Sequence, residues 1–68
     1  MLKISLKAAR INAGLSQKEA AKALGVSNKT LHRWENGDSF PKAHHIDAIC
    51  DLYKVSYNDI KFIPTNSL

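Results

Sequence analysis

One cysteine, Cys50, is all the sequence contains, so no internal disulfide can form and no cysteine pair begins a zinc site. Long apolar runs are also missing: no stretch exceeds three consecutive hydrophobic residues, far short of a membrane span. The N-terminal stretch MLKISLKAARINAG has no apolar core of the kind a signal peptide needs, so a soluble cytoplasmic protein is expected. There is no glycine-rich phosphate loop and no acid pair beside a nucleophile. His44 and His45 are adjacent, and neighbouring side chains diverge on a helix, whereas a metal pair needs a spacing of four. Cys50 falls on an apolar helix face with Ile46, Ile49 and Tyr53, the position of a core thiol. Together these absences argue against an enzyme, a metal, a cofactor or a small-molecule ligand.

What remains is a chain of 68 residues, 44% hydrophobic, sized for one small globular domain. Its net charge of +4 is unevenly placed. Residues 1–42 carry eight Lys/Arg against three acids, whereas residues 43–68 carry two against three. That asymmetry favours a polyanion docked on one side.

Helical punctuation recurs along the chain. Ser5 can cap a first helix from about Leu6 to Asn12, with Ile4 as a staple residue, and Gly14 stops it. Ser16 and Glu19 form the S-x-x-E capping box of a second helix. Ala20, Ala21, Ala23 and Leu24 share one arc of it, allowing another helix close approach. Gly25 supplies a left-handed terminus, and Ser27 caps a third helix over residues 28–36. Two residues of turn after Gly25 force the second and third helices to cross steeply. Gly37 ends the third helix and Pro41 opens a fourth, roughly Lys42 to Tyr53. Its apolar face is Ile46, Ile49, Cys50, Leu52 and Tyr53. Ser56 caps a last short helix in VSYNDI, with Val55 and Ile60 facing the core. The expected architecture is all-α, a compact five-helix bundle over residues 1–61 with a short extended tail over residues 62–68.

The stretch LSQKEAAKALGVSNKTLHRWENG, with Pro41 and IDAICDLYKVSYNDI after it, resembles the phage repressor and Cro-like helix-turn-helix family, also called the Xre family. The likeness runs from about Leu6 to Ile60. Ala21, Gly25, Val26, the W-E-N-G of Trp34 to Gly37, and Pro41 carry it jointly. It implies the lambda-repressor-like DNA-binding fold, a homodimer on a double-stranded DNA operator, and a phage or mobile-element origin.

The third helix presents Asn28, Lys29, His32 and Arg33 on the side opposite Leu31 and Trp34. A major groove admits one helix, and base edges there are read by forked donors and acceptors. Asn suits adenine, and Lys or Arg suits guanine. In the family, the first two residues of this helix and one a turn later contact bases, here Asn28, Lys29 and Arg33, with His32 as a further candidate. The plainer alternative is a solvated polar face.

Phosphate contacts form a separate class, giving register without sequence information. Gln17 lies within the apolar arc of its helix, odd for a core glutamine, but the first turn lets it reach an anion at the helix end. The family uses a glutamine here for a backbone phosphate. Ser27, Asn36 and Lys42 are companions, although Ser27 could serve as a cap alone. Many relatives carry a basic residue just after the NG; this chain has Asp38 and Ser39, which repels a phosphate at close range. The resemblance also pairs Glu35 with Arg10 as an ion pair supporting the fold. The competing function is a protein-interaction module of the same fold, antitoxin-like or a phage regulatory partner. Phe62, Ile63 and Leu68 favour it unless the tail folds back over the core.

Overall fold

The computed structural model describes residues 3–62. Its elements are β1 (Ile4–Ser5), α1 (Leu6–Asn12), α2 (Gln17–Leu24), α3 (Asn28–Asn36), α4 (Ala43–Tyr53), a single 3-10 turn (Tyr57–Asp59) and β2 (Ile60–Lys61). Four α-helices are therefore present among the described residues, not five. VSYNDI makes only one tight turn, held as the Ser56 N–H donates to the Asp59 carboxylate at 3.3 Å. Nor is the fold wholly helical, because β1 pairs in parallel with β2, Ile4 opposite Ile60 and Ser5 opposite Lys61. Two-residue strands leave no periodicity to detect, and their partners lie at opposite ends of the chain.

Three of the four α-helices start where a hydroxyl satisfies an orphan donor. Ser5 Oγ accepts from the Ala8 N–H at 3.0 Å, and Ser16 and Ser27 do the same for Glu19 and Thr30. At α2 the box closes: Ser16 N–H donates to Glu19 Oε1 at 2.9 Å. Those bonds from Ser16 hold the Glu19 carboxyl below its usual range. Lys42 caps α4 through its backbone geometry without a side-chain bond, so this helix begins at Ala43, one residue later than the sequence suggests. Pro41 consequently lies just before the cap and is buried.

Leu31 of α3 and Ile49 of α4 are 0% exposed and form the centre of the core. Leu6, Ala9, Ala20, Ala21, Trp34, Tyr53 and Ile60 surround them. Ala20 and Ala21 let α2 lie close against both α3 and α4. Ala23, placed on the same arc by the sequence, is exposed, so the close approach uses two alanines of the three. Truncating Leu31 or Ile49 to alanine would cost about 2–5 kcal/mol, a large share of what so small a domain commands.

Phe62 joins this core at 8% exposure, stacked on Tyr57 with ring centroids 5.5 Å apart. The packed unit therefore extends to Phe62, the residue at which the sequence places the start of a tail. The other apolar tail residues, Ile63 and Leu68, lie outside the described residues.

Candidate nucleic-acid interface

Gly25 adopts φ 73°, ψ 28°, a left-handed conformation that a side chain disfavours, and the chain turns within Gly25–Ser27 into α3. Ser27 Oγ accepts the Thr30 N–H at 3.0 Å and donates to Thr30 Oγ1 at 2.9 Å, fixing the first turn of α3. Leu31 and Trp34 anchor the inner side of that helix. Asn28, Lys29, His32, Arg33 and Asn36 all remain exposed on its outer side. One short helix thus carries a buried stripe and, opposite it, a polar and cationic one.

Behind this stripe lies a connected set of polar bonds. Arg10 Nε donates to Glu35 Oε2 at 2.7 Å, with side chains only 9% and 3% exposed. Arg10 also donates to the Leu15 carbonyl at 2.9 Å, so its guanidinium is used on two sides. Glu35 Oε1 accepts a second donor, the Gln17 amide nitrogen, at 3.1 Å. Gln17 Oε1 in turn accepts from Asn28 Nδ2 at 3.1 Å. The Gln17 nitrogen lies 3.5 Å from His32 Nδ1, and the Asn36 amide nitrogen lies 2.9 Å from His32 Nε2. Gln17, Asn28, His32 and Asn36, four residues assigned separately from sequence, are therefore one cluster. Gln17 is its hub, which accounts for a half-buried glutamine on an apolar arc.

Lys29 and Arg33 stand apart from that cluster. Among the described residues neither side chain has a hydrogen bond or ion pair, so both cations are available to an external anion. Lys42 is also exposed, at the entrance of α4, outside the Gln17 cluster. Asp38 is exposed too, its backbone N–H donating to the Arg33 carbonyl at 2.9 Å. It continues the α3 terminus after Gly37 at φ 81°.

Two features were not legible as parts of any surface. Phe40 and Tyr57 are 52% and 57% exposed and flank Phe62, forming an aromatic face across the α3–α4 loop and the 3-10 turn. A shallow groove of about 290 Å³ runs along it, lined by Gly37, Ser39, Phe40 and Phe62. His45 packs its ring on Trp34 at 5.0 Å, with Nδ1 buried and unpartnered among the described residues. Desolvation, then the neighbouring His44 and Lys42 charges, hold the His45 pKa below its usual value. Cys50 is partly buried and its thiol pKa is raised, mainly by burial and then by Asp47 and Asp59. No group of three or more His, Cys, Asp or Glu side chains suited to a metal occurs among the described residues. None of the described helices is long and apolar enough to cross a membrane.

The helix-turn-helix family model matches residues 6–60, which includes every helix just described. The chain belongs to the Xre-like helix-turn-helix family. This membership supports a DNA-binding regulator as its general function. Among curated relatives, the helix-turn-helix chain is similar to the antitoxin PezA of Streptococcus pneumoniae serotype 4 (strain ATCC BAA-334 / TIGR4). The two are 40% identical over 60 residues, 88% of this chain and 38% of the antitoxin. It is also 39% identical over 51 residues to the type II methyltransferase M1.ScrFI of Lactococcus lactis subsp. cremoris, covering 71% of this chain and 13% of the methyltransferase. The chain thus spans well under half the length of either relative. No solved structure matches it.

Proposed function

We propose that this helix-turn-helix chain is a sequence-specific double-stranded DNA-binding regulator that inserts α3 into the major groove and acts as a repressor. The observation that carries this reading is the outer face of α3. There Lys29 and Arg33 are unpaired among the described residues, beside an Asn28 amide already bonded to Gln17. With one N–H used by Gln17, Asn28 keeps its oxygen and a second N–H. These are the acceptor and donor that N6 and N7 of adenine require. Lys29 and Arg33 suit guanine O6 and N7. Ser27, Asn36 and Lys42 are assigned to the phosphates on either side of the groove, whereas the Gln17 amide, engaged by Glu35, Asn28 and His32, has no donor left for one. Repression follows from occupancy of an operator alone, and the role is one of binding in the cytoplasm rather than catalysis.

One copy of α3 spans only a few base pairs, so a homodimer reading two half-sites about 34 Å apart is part of the proposal. The exposed Phe40 and Tyr57 face supports self-association, since apolar rings at that exposure gain by burial against a second copy. Selection of sites from a random duplex pool, at two salt concentrations, tests the whole reading. It predicts an enriched palindrome with half-sites one helical turn apart. Salt-sensitive binding without an enriched motif would leave only the phosphate contribution.

A second reading, a protein-interaction module in an antitoxin-like regulator, draws on the 40% identity to the antitoxin and on the same aromatic face. Absence of duplex binding at low salt would put it first.

A further inference from the structure

Glu35 lies behind the outer face of α3 and is screened from any groove, yet four side chains on or behind that face take their orientation from it. A carboxylate can only accept. Because Arg10 fixes Glu35 from one side at 2.7 Å, the Gln17 amide must present nitrogen to Glu35 Oε1, not oxygen. Its oxygen then points to Asn28, which must answer with nitrogen, at 3.1 Å. Neither amide can be turned over without setting two donors or two acceptors face to face.

The other hydrogen of the Gln17 amide faces His32 Nδ1 at 3.5 Å, so that ring nitrogen carries the lone pair and Nε2 carries the proton. Asn36 Nδ2 stands 2.9 Å from Nε2, donor against donor, so the Asn36 amide must turn over to offer its oxygen. Of the two amides touching His32, that of Gln17 is fixed by Glu35 and Asn28. Asn36 has no second side-chain partner among the described residues and is the one free to turn. Its NH2 group is thereby directed away from His32.

We infer that Glu35 is a positioning residue for base recognition: held by Arg10, it sets through Gln17 which way the Asn28 amide faces, and so which base Asn28 accepts. This rests on the DNA-reading function proposed above. It also makes His32 a relay within the face, with both ring nitrogens engaged, before it is a base contact.

The chain of polarity can be reversed and restored. In Glu35→Gln, position 35 can turn its oxygen to Arg10 and its nitrogen to the Gln17 oxygen. Gln17 then offers nitrogen to Asn28, and the Asn28 oxygen is consumed inside the protein. Adding Gln17→Glu to that variant puts an acceptor-only group back beside Asn28, which recovers its outward oxygen. The same change sets a carboxylate against His32 Nδ1 and draws the proton there.

The test pairs two measurements. Competition binding with each base at the position that Asn28→Ala relaxes should show roughly tenfold preference for adenine in the parent chain. Glu35→Gln should bring this within about threefold, and the Gln17→Glu/Glu35→Gln pair should restore it although binding to every site is weaker. Long-range proton–nitrogen correlation on the DNA-free chains, with the ring neutral, should find the His32 proton on Nε2 in the parent and on Nδ1 in the double variant. An unchanged base preference in a folded Glu35→Gln, or no recovery in the pair, overturns the inference. So does a parent His32 protonated on Nδ1, whether or not any variant folds. If the parent selects no DNA site, the proposed function falls instead, and the ring nitrogens alone decide the polarity chain.

Discussion

Arg10 and Glu35 meet at 2.7 Å with almost no exposed side-chain surface, joining α1 to α3 across the core. Because both charges are largely out of water, losing one strands the other. Arg10→Met should therefore destabilise the domain by about 3–5 kcal/mol, most of its reserve. Urea denaturation would show it as a large drop in midpoint. The Arg10→Met/Glu35→Leu pair should recover much of that loss, and full additivity of the two changes would refute a coupled pair.

Gly25 isolates a backbone effect from a steric one. A Cβ placed there meets nothing within 4 Å, while φ is +73°. Gly25→Ala should consequently cost about 1–2 kcal/mol, from conformation alone. Gly25→Asn should cost less, as asparagine tolerates the left-handed region. Equal midpoints for glycine and alanine would exclude this account.

His45 makes stability depend on pH. Its folded pKa lies below the unfolded value of 6.5, so the unfolded chain binds the proton more tightly. The His45 contribution to stability is full above pH 6.5 and declines as pH falls from there toward the folded pKa, below which the decline ends. Thermal melts from pH 8 down to about pH 5 should trace this fall. His45→Phe keeps a ring on Trp34 and should flatten that part of the curve.

Tyr53 is 3% exposed with its hydroxyl unpartnered among the described residues. Burial first, then Glu35, pushes its pKa up to about 12, with Arg10 opposing. Tyr53→Phe removes a desolvated hydroxyl while keeping the ring. It should be neutral or stabilise by about 1 kcal/mol, read from the urea midpoint.

Arg33→Ala should leave the fold intact, since the side chain is exposed. At the selected site it should cost about 1–3 kcal/mol and relax one base position. An equal loss at every sequence would move Arg33 to the phosphate contacts.

Local rules made much of the fold legible. Ser5, Ser16 and Ser27 mark three helix starts because a hydroxyl cap acts within three residues. Gly25 marks a stop because its φ is a property of that residue. What escaped depends on distant partners. Ile60 has the pattern of a helical core residue until Ile4 is known to lie beside it, and Phe62 looks like tail until Tyr57 and Phe40 flank it. Ala23 shares a wheel arc with Ala20 and Ala21, but the neighbouring helices do not reach that far round. For the candidate site, the family pattern placed the residues on α2 and α3. The odd burial of Gln17 was visible, but its three partners were not, since they lie 11 to 18 positions away.

The short pairing of Ile4 with Ile60 has a kinetic consequence. It closes nearly the whole described chain into one loop, so its entropy of closure is met only after α1 to α4 have gathered the two ends. The clasp is therefore expected to form late and to open early. Amide exchange at β1 and β2 should outpace that at Leu31 and Ile49, giving the domain a loose seam around a slowly exchanging centre.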